Sequence, residues 1–298
     1  MAASIGVLAA EHLAVGLVEE NRVVGSLRTL PEDPERHPDA LLAMPAEEIV
    51  RHISGQIEAL RQGAALKAVG VGFPGIIRDG VVQESPNLQQ IKGFNLETSL
   101  SAALAESGAT VVVFNDADVM AAGIAATRGQ LDRLVRVWTL GNGIGFGRYP
   151  WSTGAWEGGH SVVTLDPKEH FCGCGGRGHL EGIMGHRAIR LRFLDMEPEE
   201  VFAAAATGDQ RCSAFVKLWH CALAAATANS IHMEGPGEFF VTGHNARFVD
   251  VGMLDRYLHE MVKMTPLQGS RLEVVATSDE VGVIGAAVNA ERFASGTP

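Results

Sequence analysis

TGAWEGGHSVVTLDPKEHFCGCGGRGHLEG, residues 153–182, is the stretch on which the reading of this chain turns. It sets two thiols (Cys172, Cys174) and two imidazoles (His160, His179) among glycines, with Glu157 and Glu181 flanking them. Thiolates and imidazoles are the donors that zinc selects, and a tetrahedral structural site takes four of them. Cys172-Gly173-Cys174 can bite one ion, while Gly173, Gly175, Gly176 and Gly178 let the backbone wrap it. His170, just before Phe171, competes with His160 or His179 for a place in the set. Four protein ligands leave no open coordination position, so the expected role of the ion is structural. Carboxylates beside such a set accept hydrogen bonds from a polar ligand such as a sugar. The stretch reads as a metal-braced polyol site. The same residues admit a zinc-stabilised carbohydrate hydrolase, in which Glu157 and Glu181 would form the carboxylate pair.

The chain around this stretch has 298 residues, enough for two lobes. Its formal net charge is −11 and its basic residues are scattered, which argues against nucleic acid or an anionic membrane as a partner. An anionic substrate is still allowed, because backbone N–H groups and a metal ion can hold phosphate. Of the four cysteines, Cys212 and Cys221 fall on an expected helix and read as reduced, partly buried residues. No signal-peptide pattern and no long apolar run appears, so a soluble cytoplasmic protein is expected.

Upstream, residues 4–8, 13–18 and 22–30 read as three successive strands, followed by a helix over 46–62. A strand over 66–73 ends at the turn signal Pro74-Gly75, and a helix over 94–106 precedes a buried strand over 109–114. The pattern then restarts with a helix over 116–127 and strands over 134–140 and 144–148 around Gly141-Asn142-Gly143. Downstream lie helices at about 186–194, 198–206 and 210–232, strands over 238–242 and 271–276 around a helix near 249–264, and a last helix over 280–293. The expectation is an α/β fold of two lobes: residues 1–114, with the helix of 280–298 packing back on them, and residues 115–279, which carry the metal and sugar site. Clefts between lobes are where small ligands usually bind.

Three more features carry chemistry. Asn115-Asp116 follows a buried strand and opens a helix, at the carboxyl end of a strand where ligands sit in open α/β layers. Asp116 is a candidate general base, and its plainer role is that of a helix N-cap. The glycines of Leu140-Gly141-Asn142-Gly143-Ile144-Gly145 can bring backbone N–H groups close to a phosphate, or simply close a hairpin. Thr242-Gly243-His244 ends an apolar strand, where a nucleotide base can pass or the chain simply turns from strand to helix.

Together these pieces resemble the ROK family (repressor, ORF, kinase), sugar kinases and relatives on the two-lobed actin/hexokinase-like (ribonuclease H-like) ATPase fold. Gly70 to Gly75 with Ser85-Pro86-Asn87-Leu88 resembles its G-x-x-x-P-G … s-P-N-l block, and Asn115-Asp116-Ala117 its N-D-A. Leu140 to Gly147 is similar to its second phosphate loop, with Asn142 where threonine is usual. Glu157-x-Gly159-His160 matches E-x-G-H. Cys172 to Glu181 matches C-x-C-G-x-x-G-C-x-E, with His179 in place of the last cysteine, a conservative change for zinc. The stretch from Asp279 to Ala286 resembles the family's closing helix. The resemblance implies that Asp116 takes a proton from a sugar hydroxyl. Gly75, Asn87, Asn115, Glu157, His160 and Glu181 would serve the sugar, and Gly141, Asn142, Gly143 and Gly243 the nucleotide. His160, Cys172, Cys174 and His179 would hold structural Zn2+, with one nitrogen of His160 on the ion and the other toward the sugar. ATP and Mg2+ are the implied cofactors, a hexose (glucose first) the implied substrate, and a homodimer the implied assembly. A DNA-binding repressor is not expected, since the lobe starts at Ser4.

One motif departs. The family's first phosphate loop, D-x-G-G-T, aligns with Val7-Leu8-Ala9-Ala10-Glu11. The acid that organises Mg2+ becomes valine, both glycines become alanine, and Glu11 stands where phosphate oxygens are expected. Two unit charges about 4 Å apart repel by about 4 kcal/mol at an effective dielectric near 20. The resemblance implies an ATP-dependent hexose kinase; the loop chemistry points to a sugar-binding protein without kinase activity.

Overall fold

Apolar runs bounded by turn residues form the strands, and residues spaced three and four apart form the helical faces. The computed structural model describes residues 3–33, 40–85, 88–154 and 157–296. The chain runs β1 (Ser4–Ala9), β2 (Leu13–Glu19), β3 (Arg22–Leu30), α1 (Ala46–Arg61), β4 (Ala68–Phe73), β5 (Ile76–Arg78), β6 (Val81–Glu84), α2 (Leu96–Ala103), β7 (Thr110–Asn115) and α3 (Asp116–Thr127). It continues with β8 (Val135–Leu140), β9 (Ile144–Tyr149), α4 (Leu180–Met184), α5 (His186–Arg192), α6 (Pro198–Ala206), α7 (Gln210–Glu234), β10 (Glu238–Thr242), α8 (Val251–Met261), β11 (Arg271–Val274) and α9 (Asp279–Ala294). No helix among the described residues is long and apolar enough to cross a membrane.

The chain divides into two units: Met1–Val135 with Gly147–Ala155 and Ser278–Pro298, and Arg136–Phe146 with Trp156–Thr277. This differs from a split after residue 114. Helix α3 packs on α9 and β4 and so belongs to the first unit. Both helices are apolar nearly all round, and such helices bury every face against neighbours.

The first unit holds a five-stranded mixed sheet in the order β3-β2-β1-β4-β7. β1 runs antiparallel to β2 (Val7 opposite Val15) and parallel to β4 (Val7 opposite Val71), and β4 runs parallel to β7 (Val71 opposite Val113). Helix α9 lies against β1 and β4. Helix α1 buries Ile49, Ile53 and Ile57 completely, a stripe at four-residue spacing, each side chain contributing about 1.5–3 kcal/mol of transfer free energy. The sequence also holds a hairpin that periodicity alone does not reveal. β5 and β6 pair antiparallel across Asp79-Gly80, whose φ values of 51° and 72° suit a primed two-residue turn.

The second unit is built on a four-stranded sheet, β11-β10-β8-β9, with β10 and β11 parallel. The 25-residue α7 supplies Phe215, Trp219 and Leu223 to its core, where they join Phe239, Val241 and Leu254. Asp209 caps α7 by accepting from the Cys212 N–H at 2.8 Å. Two buried polar side chains find partners here: Trp138 Nε1 donates to Thr227 Oγ1 at 3.1 Å, and Arg136 Nη2 donates to Gly235 O at 2.9 Å beneath the Phe239 ring. Cys212 is buried, and both Cys212 and Cys221 are free thiols.

Candidate functional site

The glycine-rich segment folds into a donor cluster within the second unit. One ligand atom each from His160, Cys172, Cys174 and His179 lies within 4.8 Å of the others. The two sulfurs are 3.4 Å apart, and Cys174 Sγ is 3.3 Å from His179 Nδ1. Backbone bonds fix the loop: the Gly178 N–H donates to Glu169 O (2.7 Å), Val163 N–H to Gly178 O (2.8 Å) and Gly175 N–H to Cys172 O (3.1 Å). His170 is not in the group; its ring stacks on Phe171 with centroids 4.9 Å apart.

The His160 imidazole is pushed up to about 11 by its hydrogen bonds, first to Cys172 and then to Glu157. Burial pushes the Cys172 thiol up, and burial together with His160 lowers His179. Two sulfurs and two ring nitrogens gathered on one loop match the donor set and number that Zn2+ takes in closed structural sites. His160 Nδ1 lies 3.2 Å from Glu157 Oε2, a carboxylate of the same segment. That bond fixes the imidazole from outside the donor cluster.

Glu181 ties this cluster to the glycine turn. Its Oε1 accepts from Cys172 Sγ at 3.4 Å and its Oε2 from the Ile144 N–H at 3.2 Å. A β-carbon at Gly143 would stand 2.6 Å from Glu181 Oε2, so glycine is what lets the carboxylate reach the strand. The turn is tight: Gly141 N–H donates to Gly143 O, and His186 N–H to Gly141 O, both at 3.0 Å. Gly243 lies against Leu140, and its N–H donates to Thr277 Oγ1 at 3.1 Å, which commits that donor within the protein. As a carboxylate bonded to strand and thiol, Glu181 has a different setting from Glu157, which bonds the His160 ring.

In the first unit, the Asn-Asp pair closes β7 and opens α3. Asn115, not Asp116, is the N-cap: its Oδ1 accepts from the Ala117 N–H at 2.8 Å, and its Nδ2 donates to Gly75 O at 2.9 Å. Asp116 is therefore the first helical residue, with Oδ1 also 2.9 Å from the Ala117 N–H. A carboxylate in the first turn is favoured by the helix dipole. Gly75 has φ of +113°, and a β-carbon there would meet Glu84 O at 2.0 Å; only glycine can bring its carbonyl to Asn115. Asn87 lies outside the described residues.

The first-loop segment turns through Ala10, whose N–H donates to His12 O at 3.2 Å. Val7 and Ala9 are fully buried in β1. His12 Nε2 lies 2.7 Å from Asp279 Oδ2, at the start of α9. That hydrogen bond, opposed by burial and aided by the charges of Asp279 and Glu11, holds His12 above its ordinary value. Sequence reading missed His12 and Asp279 as partners because 267 residues separate them.

The ROK family model matches residues 11–292, and the chain belongs to that family. A glucokinase of Pyrobaculum calidifontis is 28% identical over 253 residues, covering 80% of this chain and 83% of that one. A glucokinase of Streptomyces coelicolor is 29% identical over 225 residues, covering 70% and 65%. Among solved structures, the ROK hexokinase of Thermus thermophilus matches with a TM-score of 0.80 at 23% identity over 99% of both chains. The ROK glucokinase of Streptomyces griseus, in complex with glucose and AMPPNP, matches at 0.70 and 23% identity over 97% and 99%. A ROK family transcriptional regulator matches at 0.69 and 18% identity over 98% of this chain and 78% of that one. The fold is the mixed α/β, two-lobed actin/hexokinase-like fold of these proteins.

Proposed function

We propose that this protein is an ATP-dependent hexose kinase of the glucokinase type, with Asp116 as the base that takes the proton of the sugar hydroxyl. The observation that carries the reading is the likeness to two glucokinases over 80% and 70% of the chain, joined to an Asp116 carboxylate fixed at the start of α3 by the Asn115 cap. A positioned carboxylate within hydrogen-bond reach of a hydroxyl is what general-base transfer requires. Asn115, Glu157, His160 and Glu181 would hold the remaining hydroxyls. His160, Cys172, Cys174 and His179 would hold Zn2+, which when bound supplies a rigid tetrahedral node to the loop. Asn142 and Gly143 would take the nucleotide phosphates through backbone N–H groups, the Gly141 N–H closing the turn instead, with Mg2+ to neutralise their charge.

A second reading, sugar binding without phosphoryl transfer, is favoured by one observation: the first loop offers buried Val7 and an exposed Glu11 where an acid and a hydroxyl are expected. Glucose-dependent ADP release, measured with calorimetry of glucose binding, separates the two. The kinase reading expects turnover in the wild type, and Asp116→Asn with near-normal glucose affinity and turnover reduced by about 10²- to 10⁴-fold. Glucose binding without ADP release, unchanged by Ala9→Gly/Ala10→Gly/Glu11→Thr, would leave only the binding protein.

A further inference from the structure

The second unit holds another set of metal-type donors, distinct from the Cys/His cluster, with His244 directly after Gly243. His186 opens α5, Glu199 lies in α6, and His244 follows β10; one ligand atom from each lies within 4.8 Å of the others. The two imidazoles meet edge to face with centroids 5.9 Å apart.

Hydrogen bonds decide which nitrogen each ring offers. His186 Nδ1 is 3.2 Å from Oδ1 of Asn245, which is fully buried and donates its Nδ2 to Gly141 O at 3.4 Å. A carbonyl oxygen only accepts, so Nδ1 carries the hydrogen and Nε2 keeps the lone pair. Such a bond on the far nitrogen is what orients a metal-binding histidine. Arg247 Nη2 lies 2.8 Å from His244 Nε2. A guanidinium only donates, so His244 also presents a lone pair. The same Nη2 bonds Glu199 Oε1, which lies 3.6 Å from His244 Nε2. One positive group thus sits where an imidazole lone pair and a carboxylate oxygen meet.

We propose that His186, Glu199 and His244 form a second metal site, separate from the Cys/His cluster, for a divalent ion of the zinc, nickel or copper class, and that Arg247 is the resident cation which such an ion displaces. Two imidazoles and one carboxylate are borderline donors that suit those ions over magnesium or calcium. Three protein ligands leave a fourth position open to water or to a bound molecule. Only the donors' own geometry enters this argument, so it stands whichever reading of the kinase question holds.

The test is titration of metal-free protein with Co2+, read by absorption. Cobalt on thiolates gives an intense sulfur-to-metal band; cobalt on imidazole and carboxylate gives only weak visible bands. The wild type should bind two equivalents, the second without added thiolate absorption. His244→Ala and Glu199→Gln should each lose that second equivalent and keep the thiolate band. Cys174→Ala should keep the second equivalent with the thiolate band lost or diminished. Arg247→Gln should tighten the second equivalent by about tenfold, because a competing unit charge is removed. A wild type that shows the thiolate band alone, or a second equivalent whose affinity is unmoved by Glu199→Gln and Arg247→Gln, overturns the assignment.

Discussion

Asn115 is where stability and positioning meet, and its two bonds can be removed separately. Asn115→Ala deletes the cap on the Ala117 N–H (2.8 Å) and the donation to Gly75 O (2.9 Å). Losing the cap costs about 1 kcal/mol. The second bond is worth about 1 kcal/mol more. The expected total is about 2 kcal/mol. Asn115→Ser restores a cap acceptor on a side chain too short to keep the donation, and should recover about half. Asn115→Asp also keeps the acceptor, but turns a carboxylate toward the Gly75 carbonyl and places it beside Asp116; it should fall closer to alanine than to serine. Urea unfolding gives the readout as a midpoint shift at constant slope. With a slope of about 3 kcal/mol/M, 2 kcal/mol is a shift of about 0.7 M. Loss of the cap should also loosen Asp116, and on its proposed role as base a misplacement of about 1 Å costs about 10²-fold in rate. An alanine variant with the wild-type midpoint and wild-type ADP release would refute the reasoning, and serine as damaging as alanine would refute the division between the two bonds.

Two further outcomes are expected. The His12–Asp279 contact raises the His12 value in the folded chain, chiefly by the hydrogen bond that His12 donates to Asp279, so its stabilisation is fully present below the unfolded value of 6.5 and is lost as pH rises through the raised folded value. The stability difference between wild type and Asp279→Asn, followed by unfolding across pH 5 to 9, should therefore shrink toward alkaline pH; a difference that grows reverses the sign of the argument. Gly75→Ala should destabilise by about 2 kcal/mol or more, since φ is +113° and the added carbon meets Glu84 O at 2.0 Å, whereas Gly55→Ala in α1, with open space around it, should stabilise by about 0.5–1 kcal/mol. Thermal midpoints that move in the same direction for both variants contradict this reading of the backbone.

Much of the fold was legible because its signals are local. The stretch with Ile49, Ile53 and Ile57 announces a half-buried helix, and the runs over β1, β4 and β7 announce buried strands. The β5–β6 hairpin was equally local, and Asp79-Gly80 was the signal that could have found it. The division into units was not legible, because α3 is covalently next to the second unit's strands but packs on α9, about 160 residues later.

The sequence by itself determined which donors exist: thiols and imidazoles bunched over residues 160–179, a carboxylate opening a helix at Asp116, and Val7-to-Glu11 in place of an acid-and-glycine loop. Tertiary structure alone decided their partners. It made Asn115 the cap in place of Asp116, left His170 out of the donor cluster, and bonded Glu181 to the Ile144 N–H. It also gathered His186, Glu199 and His244, which no spacing in the chain connects. The physical reason is range: helix and strand periodicities and loop-borne donors act over a few residues, whereas hydrogen-bond partners 37 to 267 residues apart meet only after the core has closed.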